Sequence, residues 1–495
     1  MSIKNLEPKV VWKYFNEITQ VPRPSKKEGM IIRYIEEVAA KNQIAIKKDK
    51  VGNLLLFKPG TKGYETLPTV IMQAHLDMVC EKNNDVAFDF NKDPIQTVVD
   101  GEWLHANGTT LGADNGIGIA AALAVITSND IAHGPIECLF TVDEETGLTG
   151  AKAIKKDFIG GNILLNLDSE DEGEIFIGCA GGKGTVATFT YKAIAAPTSH
   201  PYFRIAVTGL KGGHSGGDIH KGLGNANKIL ARFLYQLQEK YPFCIAAIQG
   251  GNLHNAIARE AYAVIGTAAK NKEPIRILLN HFAADIENEL KRVDPNVTIT
   301  METVDTPKKC LPELMKEKLI LSLLACPHGV KSMSHEIEGL VETSTNLASV
   351  KMVGNTKIVI GTSQRSSVES AKHAIADQVA SVFRLAGAKV VHGEGYPGWA
   401  PNPDSRIVKI AQDSYRKLFG KEPKIMAIHA GLECGLFLEK YPQLDMISFG
   451  PTLRNVHSPD ECIEIKTVDL WWQHLLDVLK NMQGTINRQT NTFID

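Results

Sequence analysis

The run IECLFTVDEETG, from Ile136 to Gly147, ends an apolar, β-branched stretch in three successive carboxylates: Asp143, Glu144 and Glu145. Like charges so placed repel and raise one another's pKa unless a cation, a water or a proton lies among them. Taken alone, the triplet reads as a solvated loop. Three further apolar runs end in the same chemistry. TVIMQAHLD closes on His75 and Asp77, NILLNLD closes on Asp168, and LDMISFGPTLRNVHS puts His457 in the loop after a late strand. Asp114, in LGADNG, opens an apolar helix, where free backbone N–H groups favour a carboxylate. Imidazole and carboxylate donors together suit zinc or a similar divalent ion better than calcium or magnesium. Five donor positions, the four strand ends and the Asp114 loop, with one acid able to bridge, make two ions more natural than one. Each residue has a plainer reading: Asp114 as a helix cap, Asp168 as a strand-ending acid, either histidine as a surface side chain. Their joint placement argues against those readings, because ligands in open α/β sheets gather beyond the carboxyl ends of the strands.

These residues need a sheet to hold them. LEPKVVWKYFNEITQ and KEGMIIRYIEEVAAKNQ carry apolar residues at i, i+3 and i+4 and predict amphipathic helices. TVIMQAHLDMV, IECLFTV and NILLNLD show little polar alternation, as strands buried on both faces do, which predicts a mixed or parallel sheet under helices. From about Tyr191 the texture changes. YFRIAVTGL, AYAVIGTAA and NVTITMETV read as strands around the helices NANKILARFLYQLQ and PIRILLNHFAADIENELKRV. A similar order roughly recurs from KEKLILSLLAC to KVVHGEG, which suggests a duplicated α+β module. After EGYPGWAPNP the first texture resumes. The reading is an α/β catalytic domain (1–190 and 393–495) interrupted by an inserted α+β domain, internally duplicated, over 191–392.

Composition sets the outer bounds. The 495 residues exceed one ordinary core, and 43% hydrophobic with 22% charged residues is a soluble globular balance. A formal net charge of −2 gives no global field towards nucleic acid or an anionic membrane. Eight scattered cysteines without a C-x-x-C pair suit reduced thiols. MSIKNLEPKVVWKYF lacks the apolar core of a signal peptide, and GIGIAAALAVI is far short of the roughly 20 residues of a membrane span. A cytoplasmic protein is expected.

His75-Leu76-Asp77, LGADNG, DEETG, LNLDSE and NVHSPDE together resemble the co-catalytic di-zinc exopeptidases, which include carboxypeptidase G, aminoacylases, tripeptide aminopeptidases and dipeptidases. The resemblance runs through nearly the whole chain. LGADNGIG, FTVDEETGLTGA, GLKGGHSGGDIH, HAGLECG and FGPTLRNVHSPDE are most similar to the aminoacyl-histidine dipeptidases, the cytosolic nonspecific or carnosinase-type group. The resemblance implies that His75 and Asp168 hold one zinc, Glu145 and His457 the other, with Asp114 bridging; Co²⁺ or Mn²⁺ are alternatives. It implies that Asp77 orients His75 and that Glu144 is the general base for a metal-bridged hydroxide; spacing alone does not choose between Glu144 and Glu145. It makes the inserted domain a lid whose His214 reaches the scissile carbonyl. Asn255 and Arg365 would bind substrate, Arg365 by its carboxylate, and Gly431 would lie in the loop lining the substrate's carboxyl side. The substrate implied is an unblocked dipeptide, including Xaa-His; a homodimer through the lid is one family arrangement. The rivals are a tripeptide aminopeptidase or N-acyl amino-acid hydrolase on the same metals, and a non-catalytic binding protein. Two motifs are decoys. G-x-S-x-G at Gly213–Gly217 lacks the immediate strand-to-helix turn of a serine-hydrolase elbow at Ser215. HEIEG at His335 lacks the second histidine of H-E-x-x-H.

Overall fold

The computed structural model describes residues 3–482. They divide into two compact units, 3–178 with Pro401–Ala427 and 432–482, and Cys179–Ala400 with Ile428–Gly431. The sequence borders at 190/191 and 392/393 are displaced from these. The strand Gly181–Thr190 pairs along its whole length with Lys357–Ser366, and Gly182 and Tyr396 exchange backbone hydrogen bonds. Side-chain alternation reports a strand's two faces, not the sheet it joins.

In the first unit an eight-stranded mixed sheet runs in the order Ala45–Lys48, Leu54–Lys58, Ile136–Thr141, Val70–His75, Ile163–Asn166, Asp445–Ser448, Glu174–Cys179, Lys424–Ile428. The four strands from Ile136–Thr141 to Asp445–Ser448 are neighbours and mutually parallel. Ile136–Thr141, Val70–His75 and Ile163–Asn166 are buried at every position, which their unbroken apolar character requires. Lys9–Ile18 is a helix burying Val11, Trp12, Phe15 and Ile18. Gly29–Lys41 buries Ile31, Ile35 and Ala39 on one stripe. The helix Ala113–Thr127 is apolar all round, and every residue from Asn115 to Ile126 is buried, as in a helix enclosed by its own domain. A small four-stranded sheet joins Leu453–Arg454, Cys462–Glu464, Trp103–Ala106 and Thr97–Asp100.

The second unit carries a nine-stranded sheet. Tyr202–Thr208, Cys244–Gly250, Ala261–Gly266 and Thr298–Val304, with helices Ala226–Gln238 and Lys272–Leu290, form a β-α-β-β-α-β module whose spatial strand order is fourth, first, third, second. Gly181–Thr190, Val341–Val353, Lys357–Ser366 and Lys389–His392, with helices Glu313–Ala325 and Glu369–Leu385, repeat that connectivity and order. The first module is inserted between the first strand and first helix of the second. They meet strand to strand at Gln249↔Lys351 and Gly250↔Val350. One core spans both: Phe233, Leu234, Phe282 and Ile286 share it with Leu319, Ile320, Val379 and Phe383. The strand Cys244–Gly250 is not foretold by the sequence, because its alanines have little β-preference. Among the described residues no helix is long and apolar enough to cross a membrane.

Candidate active site

The carboxyl ends of the four parallel strands deliver the expected donors to one place. His75 ends its strand, and Asp114 sits in extended backbone (φ −80°, ψ 110°) at a break in the first turn of the helix Ala113–Thr127. His75 Nε2 is 3.0 Å from Asp114 Oδ1 and 3.4 Å from Asp168 Oδ1. His457 Nε2 is 3.2 Å from Asp114 Oδ2 and 3.1 Å from Glu145 Oε2. Asp114 therefore gives one oxygen to each histidine, Asp168 joins the first and Glu145 the second.

A divalent cation fits this donor set. Donor atoms of His75, Asp114 and Glu145 lie within 4.8 Å of one another. Glu145 Oε1 is buried with no hydrogen-bond partner, a costly state for a carboxylate unless it ligates something. Acids and imidazoles so crowded shift one another's proton affinities. Burial opposes charge on His75, yet Asp168, Asp114 and Asp77 hold its pKa well above the ordinary value. Hydrogen bonds to Asp114 and Glu145 lift His457 to about 11. Burial, then the charges of Asp114 and Glu145, push Asp168 up to about 6. Glu144 is raised well above the carboxylate range, by burial first and then by Asp168, Glu433 and Glu145.

Asp77 is fully buried, and its carboxylate accepts from Ser25 Oγ (2.7 Å), Glu144 N (3.0 Å) and Glu145 N (3.2 Å). Its Oδ1 is 3.5 Å from His75 Nδ1, while its own backbone carbonyl is closer, at 3.1 Å. Asp77 thus holds the glutamate pair by its backbone as well as facing the imidazole.

Several supports have no motif to announce them. Glu461 is buried and accepts from the amides of Leu111, Gly112, Ala113 and Asp114 at 2.8, 2.9, 2.8 and 3.3 Å. One carboxylate thereby shapes the loop that presents Asp114. Arg23, also buried, donates to the carbonyls of Leu76 (3.0 Å), Asp77 (2.7 Å) and Gly112. Glu433 accepts from Gln73 Nε2 (2.6 Å) and Thr141 Oγ1 (2.8 Å), and burial pushes it up to about 8. Glu461 lies within NVHSPDE and Glu433 within HAGLECG, but a carboxylate that serves backbone amides or neutral side chains has no spacing rule to reveal it.

In the second unit Arg365 is buried, at 8% exposure. Its Nη1 donates to Tyr396 Oη (2.9 Å) and its Nε to Ser215 Oγ (3.4 Å). Among the described residues no carboxylate lies within ion-pair distance of it. His214 Nδ1 accepts from the Gly217 amide at 3.1 Å, so the neutral ring carries its proton on Nε2. That N–H and Arg365 Nη2 lie 3.2 Å apart. Both are donors, so both need an acceptor from elsewhere. Burial and then Arg365 lower the His214 pKa, in favour of the neutral ring. Ser215, with its N–H on Asn255 O (2.8 Å), supports this cluster, and among the described residues its Oγ has no hydrogen bond to a histidine or a carboxylate. Gly431 packs on the Tyr396 ring, which a Cβ would meet at 2.7 Å. The neighbouring His429 bonds Ser344 Oγ at 2.7 Å, and burial drops its pKa to about 3.

Paired imidazoles and acids at parallel strand ends, one acid shared between them, define a metallohydrolase centre on an α/β sheet. The family model for peptidase family M20/M25/M40 matches residues 71–481, and the chain belongs to that family; it is a metallopeptidase. It is 42% identical over 480 residues to the cytosol non-specific dipeptidase of Escherichia coli K12, covering 97% of this chain and 99% of that one. Aminoacylhistidine dipeptidase from Vibrio alginolyticus has the same fold, with a TM-score of 0.90 and 43% identity over 97% of this chain and 98% of that one. A Staphylococcus aureus tripeptidase, at 17% identity and a TM-score of 0.55 over 96% and 99% of the two chains, shares the fold alone.

Proposed function

We propose that this metallopeptidase is a di-zinc dipeptidase that hydrolyses unblocked dipeptides, Xaa-His among them, in the cytoplasm. The observation that carries the reading is the shared carboxylate: Asp114 offers one oxygen to the His75–Asp168 side and one to the His457–Glu145 side. The whole-length likeness to a cytosol non-specific dipeptidase and an aminoacylhistidine dipeptidase supports the substrate class.

His75, Asp168, Asp114, Glu145 and His457 would hold the two cations. When bound, these supply Lewis acidity and a water acidified towards neutrality. Glu144, half-buried beside the donors yet outside the donor pairs, takes the proton of the attacking water and passes it to the departing amine. His214 presents Nε2–H to the carbonyl oxygen as negative charge develops there. An unblocked dipeptide carries a cation at one end and an anion at the other. Arg365 is a buried guanidinium that has no counter-ion among the described residues. A buried charge left unpaired is expensive, so Arg365 is suited to receive the substrate's carboxylate as a bidentate fork.

The test compares Ala-His, its C-terminal amide and an Ala-headed tripeptide on wild type and Arg365→Ala, with metal content measured on the same samples. Wild type should hold two zinc ions per chain, lose activity on chelation, and prefer the free dipeptide. Arg365→Ala should raise KM and abolish the preference for free acid over amide, costing on the order of ten- to a hundredfold in kcat/KM. Faster tripeptide cleavage would move the assignment to a tripeptide aminopeptidase. One ion at saturation would remove the two-metal reading.

A further inference from the structure

Two thiols of the second unit lie in contact away from any residue used above. Cys244 opens the strand Cys244–Gly250, and Cys310 lies in the short strand Lys309–Cys310 that leads into helix Glu313–Ala325. Their Sγ atoms are 3.1 Å apart. The residues beside them are joined through the backbone, with Leu311 N donating to Ile245 O at 2.8 Å, which holds the two segments side by side. Ala196, Tyr202, Val264 and Val304 pack around the pair, and Tyr202 Oη is 3.7 Å from each sulfur. Cys310 is buried, while Cys244 is partly exposed.

We propose that Cys244 and Cys310 form a reversible disulfide when the protein meets a peroxide. The Cys244 thiolate attacks one oxygen of hydrogen peroxide, the O–O bond breaks, and the departing hydroxide leaves as water with the proton released from the thiol. The Cys310 sulfur then attacks the resulting sulfenic sulfur; the S–S bond forms, the S–O bond breaks, and the hydroxyl leaves with the Cys310 proton as a second water. Two thiols and one peroxide give one disulfide and two waters, the sulfurs losing the two electrons that the peroxide gains. Closing to a bond of about 2.05 Å asks for a shift of only about 1 Å. The division of labour follows from the contact. Hydrogen bonding from Cys310 lowers the Cys244 thiol to about 6, and the same contact together with burial raises Cys310. The partly exposed sulfur is therefore the reactive one and the buried sulfur resolves it.

The full-length protein is reduced, treated with hydrogen peroxide, and mapped by non-reducing peptide mass spectrometry. A linked Cys244–Cys310 peptide, lighter by two hydrogens than the two thiol peptides and separated by dithiothreitol, is expected. Because the link closes a long loop, the oxidised protein should melt about 5–10 °C higher. Cys310→Ser should leave a Cys244 sulfenic acid that a cyclic 1,3-dione traps, and should lose the melting shift. Both wild-type thiols remaining free to alkylate after peroxide treatment would overturn the proposal, as would linkage of either to another cysteine. The wild-type map needs no variant to fold.

Discussion

Glu144 and Glu145 are chain neighbours with their amides on the same Asp77 carboxylate, yet their side chains have different company. Glu145 Oε2 is 3.1 Å from His457 Nε2, whereas Glu144 is half-buried, and desolvation first, then the charges of Asp168, Glu433 and Glu145, raise its pKa. A carboxylate so placed holds a proton well, which is what a base that must later act as an acid requires. Glu144→Gln should retain both metals and lose about 10²–10⁴-fold in kcat. Glu145→Gln should instead lower metal content and recover partly at high zinc concentration. Metal analysis alongside kinetics separates the two, and the reverse pattern would exchange their roles.

At the scale of elements, the site depends on how closely the helix Ala113–Thr127 approaches the end of the strand Ile163–Asn166. Gly118 marks the contact: a Cβ there would meet Leu167 O at 2.9 Å and would collide with the Asn115 side chain, whose Nδ2 donates to that same carbonyl at 2.7 Å. In a free helix Gly→Ala gains about 1 kcal/mol. Here the opposite sign is expected, because the obstacle is backbone and cannot swing aside. Gly118→Ala should lower the melting temperature and, by shifting the turn that carries Asp114, weaken metal binding as well. A melt and a metal titration check both, and an unchanged or raised melting temperature would show that the helix can slide.

Over the whole molecule, acid sensitivity should come in part from histidines remote from catalysis. Burial, then Lys228, lowers His328 to about 4. Burial likewise lowers His474, whose Nε2–H donates to Ala411 O at 2.8 Å, to about 4. One lies in each unit. In the unfolded chain such groups titrate near 6.5, so between about pH 6.5 and 4 the unfolded state binds more protons. Their stabilising contribution is complete above about pH 6.5 and is lost as pH falls through that window, at up to about 1.4 kcal/mol per pH unit for each histidine. Denaturant melts across this range should show the slope, and His474→Gln should flatten it by about one proton. A slope unchanged in that variant would place the sensitivity in the metal-site carboxylates instead.

The strand ends and the acids and imidazoles on them were legible from the chain alone, because burial on both faces and abrupt charge are local properties of short segments. So were the helices Lys9–Ile18 and Gly29–Lys41, whose stripes are periodic. Motif resemblance then implied roles that spacing could not, such as the choice between Glu144 and Glu145, which the metal and kinetic measurements on the two variants test. What only the tertiary structure decided is pairing between distant segments. Glu461 accepting from four amides some 350 positions earlier, Arg23 tying the Leu76–Asp77 turn to Gly112, and Tyr396 against Arg365 all involve single residues with no periodic signal. The strand Gly181–Thr190 joining the second sheet, and Cys244 meeting Cys310, follow from the same cause. A strand's sequence sets which face is buried, but its neighbour is chosen by the packing of the whole unit.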